Sequence, residues 1–267
     1  MKFGFRIPDY MIYAAILVVI MLYSNSKSTR NKAPVPPEDV GDLLPADSPY
    51  DPSILVNVDA PRSGVGTAFA IDEAGHWLTA RHVVDSCDTV GLRIGRTKYL
   101  PVKATVSEDF DLAVLSGSWN PDPIRSDLYT PRHLGESGFF FGFPQGRPGE
   151  VTGRLLGRGR MKVKGRYRSD EPILAWAENG RSSGLRGSLG GLSGGPVLDK
   201  DGEIIGVVSA ENLRRGRVYS VIPRNLRPHV KEDKSYKARA INVHSYGLQA
   251  DEYRRNRQIA QVICLVN

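Results

Sequence analysis

The sequence predicts an all-β fold of two six-stranded antiparallel β-barrels, with an N-terminal hydrophobic helix and a short C-terminal extension. Short runs of β-branched, aromatic and aliphatic residues recur between glycine- and proline-containing turns, a pattern typical of strands. The 267-residue chain is 40% hydrophobic, which is enough for one large or two small cores. We therefore divide it into a hydrophobic segment at 1–23, a proline-rich linker at 24–50, the two-barrel domain at 51–232 and the extension at 233–267.

The strand-like runs form two groups of six on either side of residues 116–135. The first group is Ile54–Val58, Gly66–Ile71, Trp77–Ala80, Thr89–Ile94, Leu100–Val106 and Leu112–Leu115. The second group is Gly138–Phe143, Val151–Val163, Ile173–Glu178, Pro196–Leu198, Glu203–Ala210 and Val218–Ile222. Two equal groups joined by one crossover predict two barrels, and the groove between two such bodies is a usual place for a ligand site.

The two ends of the chain have patterns of their own. The apolar run Tyr10–Tyr23 would rise about 21 Å as a helix, short of a ~30 Å hydrocarbon core and also suited to a signal peptide. We expect an uncleaved anchor in a bacterial-type inner membrane with the barrels in the periplasm; cleavage would instead give a secreted protein. The linker, with five prolines, is predicted to be extended and largely unpacked. Near the C-terminus we predict a helix around Leu248–Ile259 and a strand at Gln261–Val266 that packs back on the barrels.

Three polar side chains suggest acyl-transfer chemistry. Ser193 lies in the glycine-rich stretch Gly190–Val197, and glycines allow a tight loop whose backbone N–H groups turn inward to form an oxyanion hole. A serine nucleophile needs a base, and His82 follows one apolar strand while Asp111 precedes another. The order histidine, aspartate, serine separates this arrangement from the other known triad orders.

Four segments in this order resemble those of trypsin-like serine proteases, most of all the HtrA (Deg) branch. They are Gly64–Ile71, Leu78–Val84, Asp111–Leu115 and Ser193–Val197, within a region of about 53–223. The HtrA branch carries peptide-binding PDZ domains, which we do not expect in this chain, so its cage-like assembly and peptide-sensed regulation are not carried over.

The resemblance implies a role for each residue of the site. Ser193 would attack a peptide carbonyl, His82 would act as general base and acid, and Asp111 would orient the imidazole. Asp109 is the competing carboxylate, but Asp111 directly precedes the strand, as in the related proteases. The backbone N–H groups of Gly191 and Ser193 would form the oxyanion hole, and neither a metal nor a cofactor is expected.

The resemblance also shows two departures. Leu192 stands where the related proteases usually have Asp or Asn, so the loop must be held by packing or else be collapsed in a latent enzyme. Gly187 stands six residues before Ser193, where trypsin has an aspartate, so a preference for Lys or Arg is not supported. The predicted pocket takes small or medium apolar side chains. Its residues are Gly187, Ser188, Leu189, Val208 and Ser209.

Cysteine content and charge add two further predictions. Cys87 and Cys264 permit one disulfide in an oxidising compartment, with two unpaired buried thiols as the alternative. The formal charge of +7 suggests acidic partners, and basic residues alternate with glycine or apolar ones along one predicted strand. That basic face is either a solvated hairpin surface or a contact surface for anions. Its central members are Arg158, Arg160, Lys162, Lys164 and Arg166.

Two functions follow from these patterns. The first is an exported, membrane-tethered serine endopeptidase that acts on protein or peptide substrates. The second is a catalytically silent binding module of the same fold, docking an acidic partner through the basic hairpin. Nucleic acid is not an expected partner, because the basic strand has no aromatic stacking motif beside it. The sequence does not determine the oligomeric state.

Overall fold

The computed structural model describes residues 8–30, 38–95, 97–236 and 238–267. Helices in these residues are α1 (Asp9–Arg30), α2 (Arg81–Val84), α3 (Pro223–Leu226) and α4 (Tyr246–Arg255). The strands of the first half are β1 (Ser53–Val58), β2 (Gly64–Ala70), β3 (His76–Thr79), β4 (Thr89–Arg93), β5 (Tyr99–Pro101), β6 (Lys103–Val106) and β7 (Ala113–Ser116). Those of the second half are β8 (Ser137–Gly142), β9 (Gly149–Gly165), β10 (Ser169–Arg181), β11 (Pro196–Leu198), β12 (Ile204–Asn212), β13 (Arg217–Val221) and β14 (Ile259–Leu265).

The second sheet contains all six strands predicted for the second barrel. Its order is β1-β9-β10-β13-β12-β11-β8, and β8 also pairs with β9. Because β8 pairs with both β11 and β9, the strands β8 to β13 close into a six-stranded barrel. The interior is apolar and includes Phe140, Trp176 and Val197, each with no exposed side-chain surface.

The first sheet has the order β5-β4-β14-β2-β3-β7-β6. The C-terminal strand β14 lies between β2 and β4, antiparallel to both, as expected for an end too apolar to remain in solvent. The run predicted as one strand at Leu100–Val106 is divided into β5 and β6 at Val102, whose N–H donates to Val90 C=O at 3.0 Å. The all-β fold with two sheets is thus confirmed, with one strand more in each sheet than predicted.

The position of the strand β1 differs from the prediction. It was predicted to be part of the first, antiparallel barrel, but it pairs in parallel with β9 of the second sheet, with Ser53 opposite Arg160. Ile54, Val56 and Val58 are half-buried against the apolar cluster around Met161, because alternate side chains of a strand face the same side.

The described part of the linker, residues 38–50, is mostly exposed and forms neither a helix nor a strand. It contacts the rest of the protein through the N–H groups of Gly41 and Leu44, which donate to Leu134 C=O and Arg132 C=O at 2.7 and 2.8 Å. Leu44 is only 5% exposed and lies in the apolar cluster of the second barrel, so its burial holds this segment against the barrel. Residues 31–37 lie outside the described part of the chain.

The N-terminal apolar run forms α1, as predicted for a helix. Of the helices that the structure describes, none is both long enough and apolar enough to cross a membrane, so the predicted spanning anchor is not supported.

Cys87 and Cys264 are joined in a disulfide with a Cα–Cα distance of 5.5 Å. Cys87 follows α2, while Cys264 lies in β14, so the bond ties the C-terminal strand to the segment that carries His82. Bridged residues so far apart in the sequence constrain the unfolded chain strongly.

Candidate active site

His82 and Asp111 are brought together by the pairing of β3 with β7. Thr79, at the end of β3, lies opposite Ala113, at the start of β7. His82 Nδ1 is 2.8 Å from Asp111 Oδ2, and the backbone N–H of His82 donates to Asp111 Oδ1 at 2.9 Å. Because a carboxylate only accepts hydrogen bonds, Nδ1 carries the proton in the neutral imidazole and Nε2 is left as the basic nitrogen.

Ser193 reaches the same cavity from the second sheet. Its C=O accepts from the N–H of Thr67 in β2 at 2.9 Å, and the next residue, Gly194, donates to Val208 C=O at 2.8 Å. His82, Asp111 and Ser193 line one cavity of about 580 Å³ between the sheets. Among the described residues Ser193 Oγ has no hydrogen-bond partner. The contact between nucleophile and base is commonly long before substrate binds.

The loop before Ser193 holds two unpaired backbone donors. Gly191 has φ +96°, and a Cβ at this position would lie 2.5 Å from Phe143 C=O, so both the conformation and the space require glycine. The C=O of Gly191 points away from the cavity and accepts from Thr67 Oγ1 at 2.7 Å. Neither the Gly191 nor the Ser193 N–H donates to any residue that the structure describes. Both are therefore available to an oxyanion.

Leu192 explains how this loop is held. Its side chain is 1% exposed and packs in the apolar cluster of the second barrel. Its N–H donates to Leu189 C=O at 2.8 Å, and Gln145 N–H donates to Gly190 C=O at 2.6 Å. The first of the two alternatives, a loop held by packing, is the one that the structure contains.

Asp111 accepts two further hydrogen bonds from the second sheet. Tyr167 OH donates to Oδ1 at 3.0 Å, and Ser209 Oγ donates to Oδ2. Ser209 was predicted as a pocket wall, but its hydroxyl is used by Asp111. Behind them, Glu171 Oε1 accepts from the Asp111 backbone N–H at 2.8 Å, while Glu171 Oε2 has no partner among the described residues.

The charges of this cluster differ from those of the free side chains. Burial alone would raise the pKa of Asp111, but the charge of His82 and the hydrogen bonds from His82 and Ser209 lower it to about 2. Burial alone would lower the pKa of His82, but Asp111 outweighs this and raises it. Burial and the charge of Asp111 raise the pKa of Glu171 to about 9, so this carboxyl is neutral at pH 7. The same two causes raise the pKa of Tyr167.

The tip of the β9–β10 hairpin, residues 166–171, therefore contacts both His82 and Asp111. Besides Tyr167 and Glu171, it contributes Arg166, which pairs with Asp85 at 2.9 Å and donates to His82 C=O at 3.1 Å. Neither Tyr167 nor Glu171 was predicted from the sequence as a site residue. The available signal was a glutamate directly before an apolar run, Pro172–Trp176, where a charged side chain is expensive to bury.

The basic face is largely paired within the protein. Arg160 contacts Asp170 at 2.8 Å, Lys162 lies 4.0 Å from the same carboxylate, and Arg166 is occupied by Asp85. Arg158 donates to a backbone C=O of the packed linker. Within the described part of the chain, the exposed Lys164 is the member whose side chain has neither an ion pair nor a hydrogen bond, which weakens the binding-module alternative.

The predicted specificity pocket is small. A cavity of about 30 Å³ beside Ser193 is lined by Leu189, Val208 and Glu211. The Glu211 carboxylate accepts from the Leu189 N–H at 2.9 Å and from Ser188 Oγ at 2.5 Å, so it lies across the pocket. Gly187 and Ser188, both predicted as pocket residues, are exposed and do not line this cavity. Glu211 was not predicted from the sequence.

One group of acidic side chains lies outside the cleft. Asp127, Asp199 and Glu203 have carboxylate oxygens within 4.8 Å of one another. Arg132 contacts Asp127 at 2.5 Å and Asp199 at 3.4 Å, and Arg125 contacts Glu203 at 2.7 Å. Because each of these carboxylates already contacts a guanidinium group, we assign no metal there.

The chain resembles known peptidases in sequence. The trypsin-like peptidase domain matches residues 66–207. The chain is 29% identical over 189 residues to an uncharacterized protein, y4bJ, of Sinorhizobium fredii, covering 68% of this chain and 28% of that protein. It is 28% identical over 160 residues to a probable periplasmic DegP-like serine endoprotease of Marinomonas sp., covering 58% and 31%. The chain thus spans less than two thirds of the length of either relative.

The crystal structure of the active form of the Rv3671c protease from M. tuberculosis has a similar fold. The TM-score is 0.50 at 14% identity, over 80% of this chain and 99% of the other. At this identity the likeness concerns the fold alone. Since the matched domain covers more than half of the sequence, the chain belongs to the family of trypsin-like peptidase domains, with DegP-like relatives at modest identity.

Proposed function

We propose that the protein is a serine endopeptidase in which Ser193, His82 and Asp111 form the catalytic triad. The observation that carries the proposal is the cavity between the sheets, where an imidazole held by a buried carboxylate faces the same space as a serine hydroxyl and two unpaired N–H groups. This is the set of groups that acyl transfer needs.

The geometry supports a two-step reaction. Ser193 Oγ attacks the peptide carbonyl carbon while His82 Nε2 takes the hydroxyl proton, and the oxyanion is held by the N–H groups of Gly191 and Ser193. The C–N bond then breaks as His82 returns the proton to the leaving amine, which gives an acyl-enzyme. Water then attacks the acyl-enzyme while His82 takes its proton, and the bond to Ser193 breaks to release the carboxylic acid product. Asp111 stays ionised throughout, because its pKa is lowered to about 2.

An exported location is part of the proposal. The Cys87–Cys264 disulfide supports it, because such bonds persist in oxidising compartments and are rare in the cytosol.

Labelling with a fluorophosphonate tests the assignment, because this reagent reacts with an activated serine. We expect Ser193 to be labelled and Ser193→Ala to be inert, while Ser183→Ala, which removes an exposed hydroxyl nearby in the chain, reacts like the wild type. The rate should rise with pH through a value above the usual 6.5, because Asp111 raises the pKa of His82 and only the neutral imidazole accepts the proton. Equal labelling of Ser193→Ala, or no labelling of the wild type at any pH, would reject the triad.

A further inference from the structure

The strand β1 presents an unpaired backbone edge. It is the terminal strand of its sheet, with β9 on one side and no strand on the other among the described residues. The N–H groups of Arg160 and Arg166 donate to the C=O groups of Pro52 and Val58, both at 3.0 Å. Even-numbered residues of β1 therefore direct their backbone groups to β9. By the alternation of a strand, Leu55 and Asn57 direct theirs to the opposite side.

This free edge borders the catalytic cavity. Residues 55–60 form one wall of the cavity of about 580 Å³ whose other walls include His82, Ser193 and Glu211. Across the cavity, β12 is paired by β11 only as far as Val207. Val208 still bonds to Gly194 and Gly195, and only the residues after it, up to Glu211, have no backbone partner on this side in the described part of the chain. The free edges of β1 and β12 thus face the same cavity, and Ser193 lines that cavity as well.

The cavity suits one kind of occupant. A single extended chain can place its N–H and C=O groups against such an edge, whereas a folded domain or a sheet does not enter a concave space of this size. Leu55 is 64% exposed beside the edge and offers apolar contact to a side chain of the incoming segment.

We propose that the free edge of β1 is a docking strand for an extended, unfolded polypeptide segment. The segment forms backbone hydrogen bonds with Leu55 and Asn57, and this pairing places one of its peptide bonds beside Ser193. This inference rests on the proposed peptidase function and adds the surface on which its polypeptide substrate docks. It also gives the parallel strand β1 a role besides covering the apolar cluster of the second sheet.

Hydrogen exchange in the Ser193→Ala variant tests the docking without catalysis. The probe is β-casein, an unfolded protein, and exchange is followed by NMR at each amide of β1. We expect slower exchange at Leu55 and Asn57 when β-casein is added, and little change at Ile54, Val56 and Val58, whose amides already bond to β9. Bound β-casein without protection of Leu55 and Asn57 would reject the docking strand.

Proline substitution gives a second, kinetic test. Leu55→Pro removes one N–H from the cavity side of the edge and keeps the bonds to β9; Ser53→Pro removes the same kind of N–H outside the cavity and is the matched control. We expect the rate of β-casein cleavage, divided by that of p-nitrophenyl acetate, to fall about three- to tenfold in Leu55→Pro and to stay unchanged in Ser53→Pro. Equal ratios in the two variants would overturn the inference.

The two proposals fail separately. If the wild type does not react with fluorophosphonate but β-casein still protects Leu55 and Asn57, the peptidase function is wrong and the docking strand stands. If fluorophosphonate reacts and β-casein leaves those amides unprotected, only the docking strand is wrong.

Discussion

Replacing Glu171 by glutamine tests whether the carboxyl behind Asp111 is neutral in the folded protein. The side chain has no exposed surface, and burial together with the charge of Asp111 raises its pKa from 4.5 to about 9. Between these values the folded state binds a proton that the unfolded state releases. The free energy of unfolding therefore falls as the pH rises through this interval, and the contribution of the neutral carboxyl is lost above pH 9.

The size of the effect follows from linkage. Each pH unit within the interval costs about 1.4 kcal/mol, so raising the pH from 6 to 8 lowers the free energy of unfolding by about 3 kcal/mol through this group. Glutamine does not ionise, and its amide oxygen can still accept from the Asp111 N–H. We therefore expect Glu171→Gln to show a flatter pH dependence and to be more stable than the wild type at pH 8.

Urea unfolding at pH 6, 7 and 8 measures this difference. Glu252→Gln, at a partly exposed glutamate on α4, controls for the loss of one acidic side chain. If Glu171→Gln and the wild type lose stability with pH at the same rate, then Glu171 is ionised in the folded protein, and our account of the charges around Asp111 is wrong.

Three further substitutions test separate parts of the site. Tyr167→Phe removes a hydrogen-bond donor to the Asp111 carboxylate, so we expect kcat/KM to fall about tenfold and the acid limb of its pH profile to move to higher pH. The control Tyr219→Phe, in the same apolar cluster, should leave both unchanged, and equal effects of the two substitutions would contradict the assignment. Glu211→Ala should shift cleavage from small residues towards valine and leucine before the scissile bond, measured on a peptide library; an unchanged profile would show that Glu211 does not close the pocket. Replacing both cysteines by serine should lower the free energy of unfolding by about 2–5 kcal/mol in urea, and an unchanged midpoint would refute a structural role for the disulfide.

The sequence was informative where the chemistry is local. Glycines around Ser193 identify a loop that needs positive φ, and the structure has φ +96° at Gly191 and +83° at Gly194. The strands of the second barrel were predicted because their apolar residues lie between turn signals, and each is present. The contact of residues 38–50 with the second barrel was not predicted, because a proline-rich composition does not reveal that a single leucine, Leu44, is buried in the barrel.

The partners of Asp111 lay beyond such reasoning, because they are distant in sequence. Glu171 is 60 residues from Asp111 and Ser209 is 98 residues away, and no periodicity relates positions so far apart. The parallel pairing of β1 with β9 was also not predicted, because the alternating burial along β1 fits either sheet. What selects the second sheet is the exposed edge of β9, with the apolar cluster around Met161 beside it.

Leu192 shows how a departure from the family pattern can be decided by packing. A charged residue before the nucleophile would have to be paired, because an isolated buried charge is costly. A leucine at 1% exposure needs no partner and contributes about 2 kcal/mol by burial. Its side chain packs in the core of the second barrel, while Gly191 and Ser193 on either side of it line the cavity. Leucine at this position therefore holds the loop before Ser193 without an ion pair, and the geometry of that loop depends on the core of the second barrel.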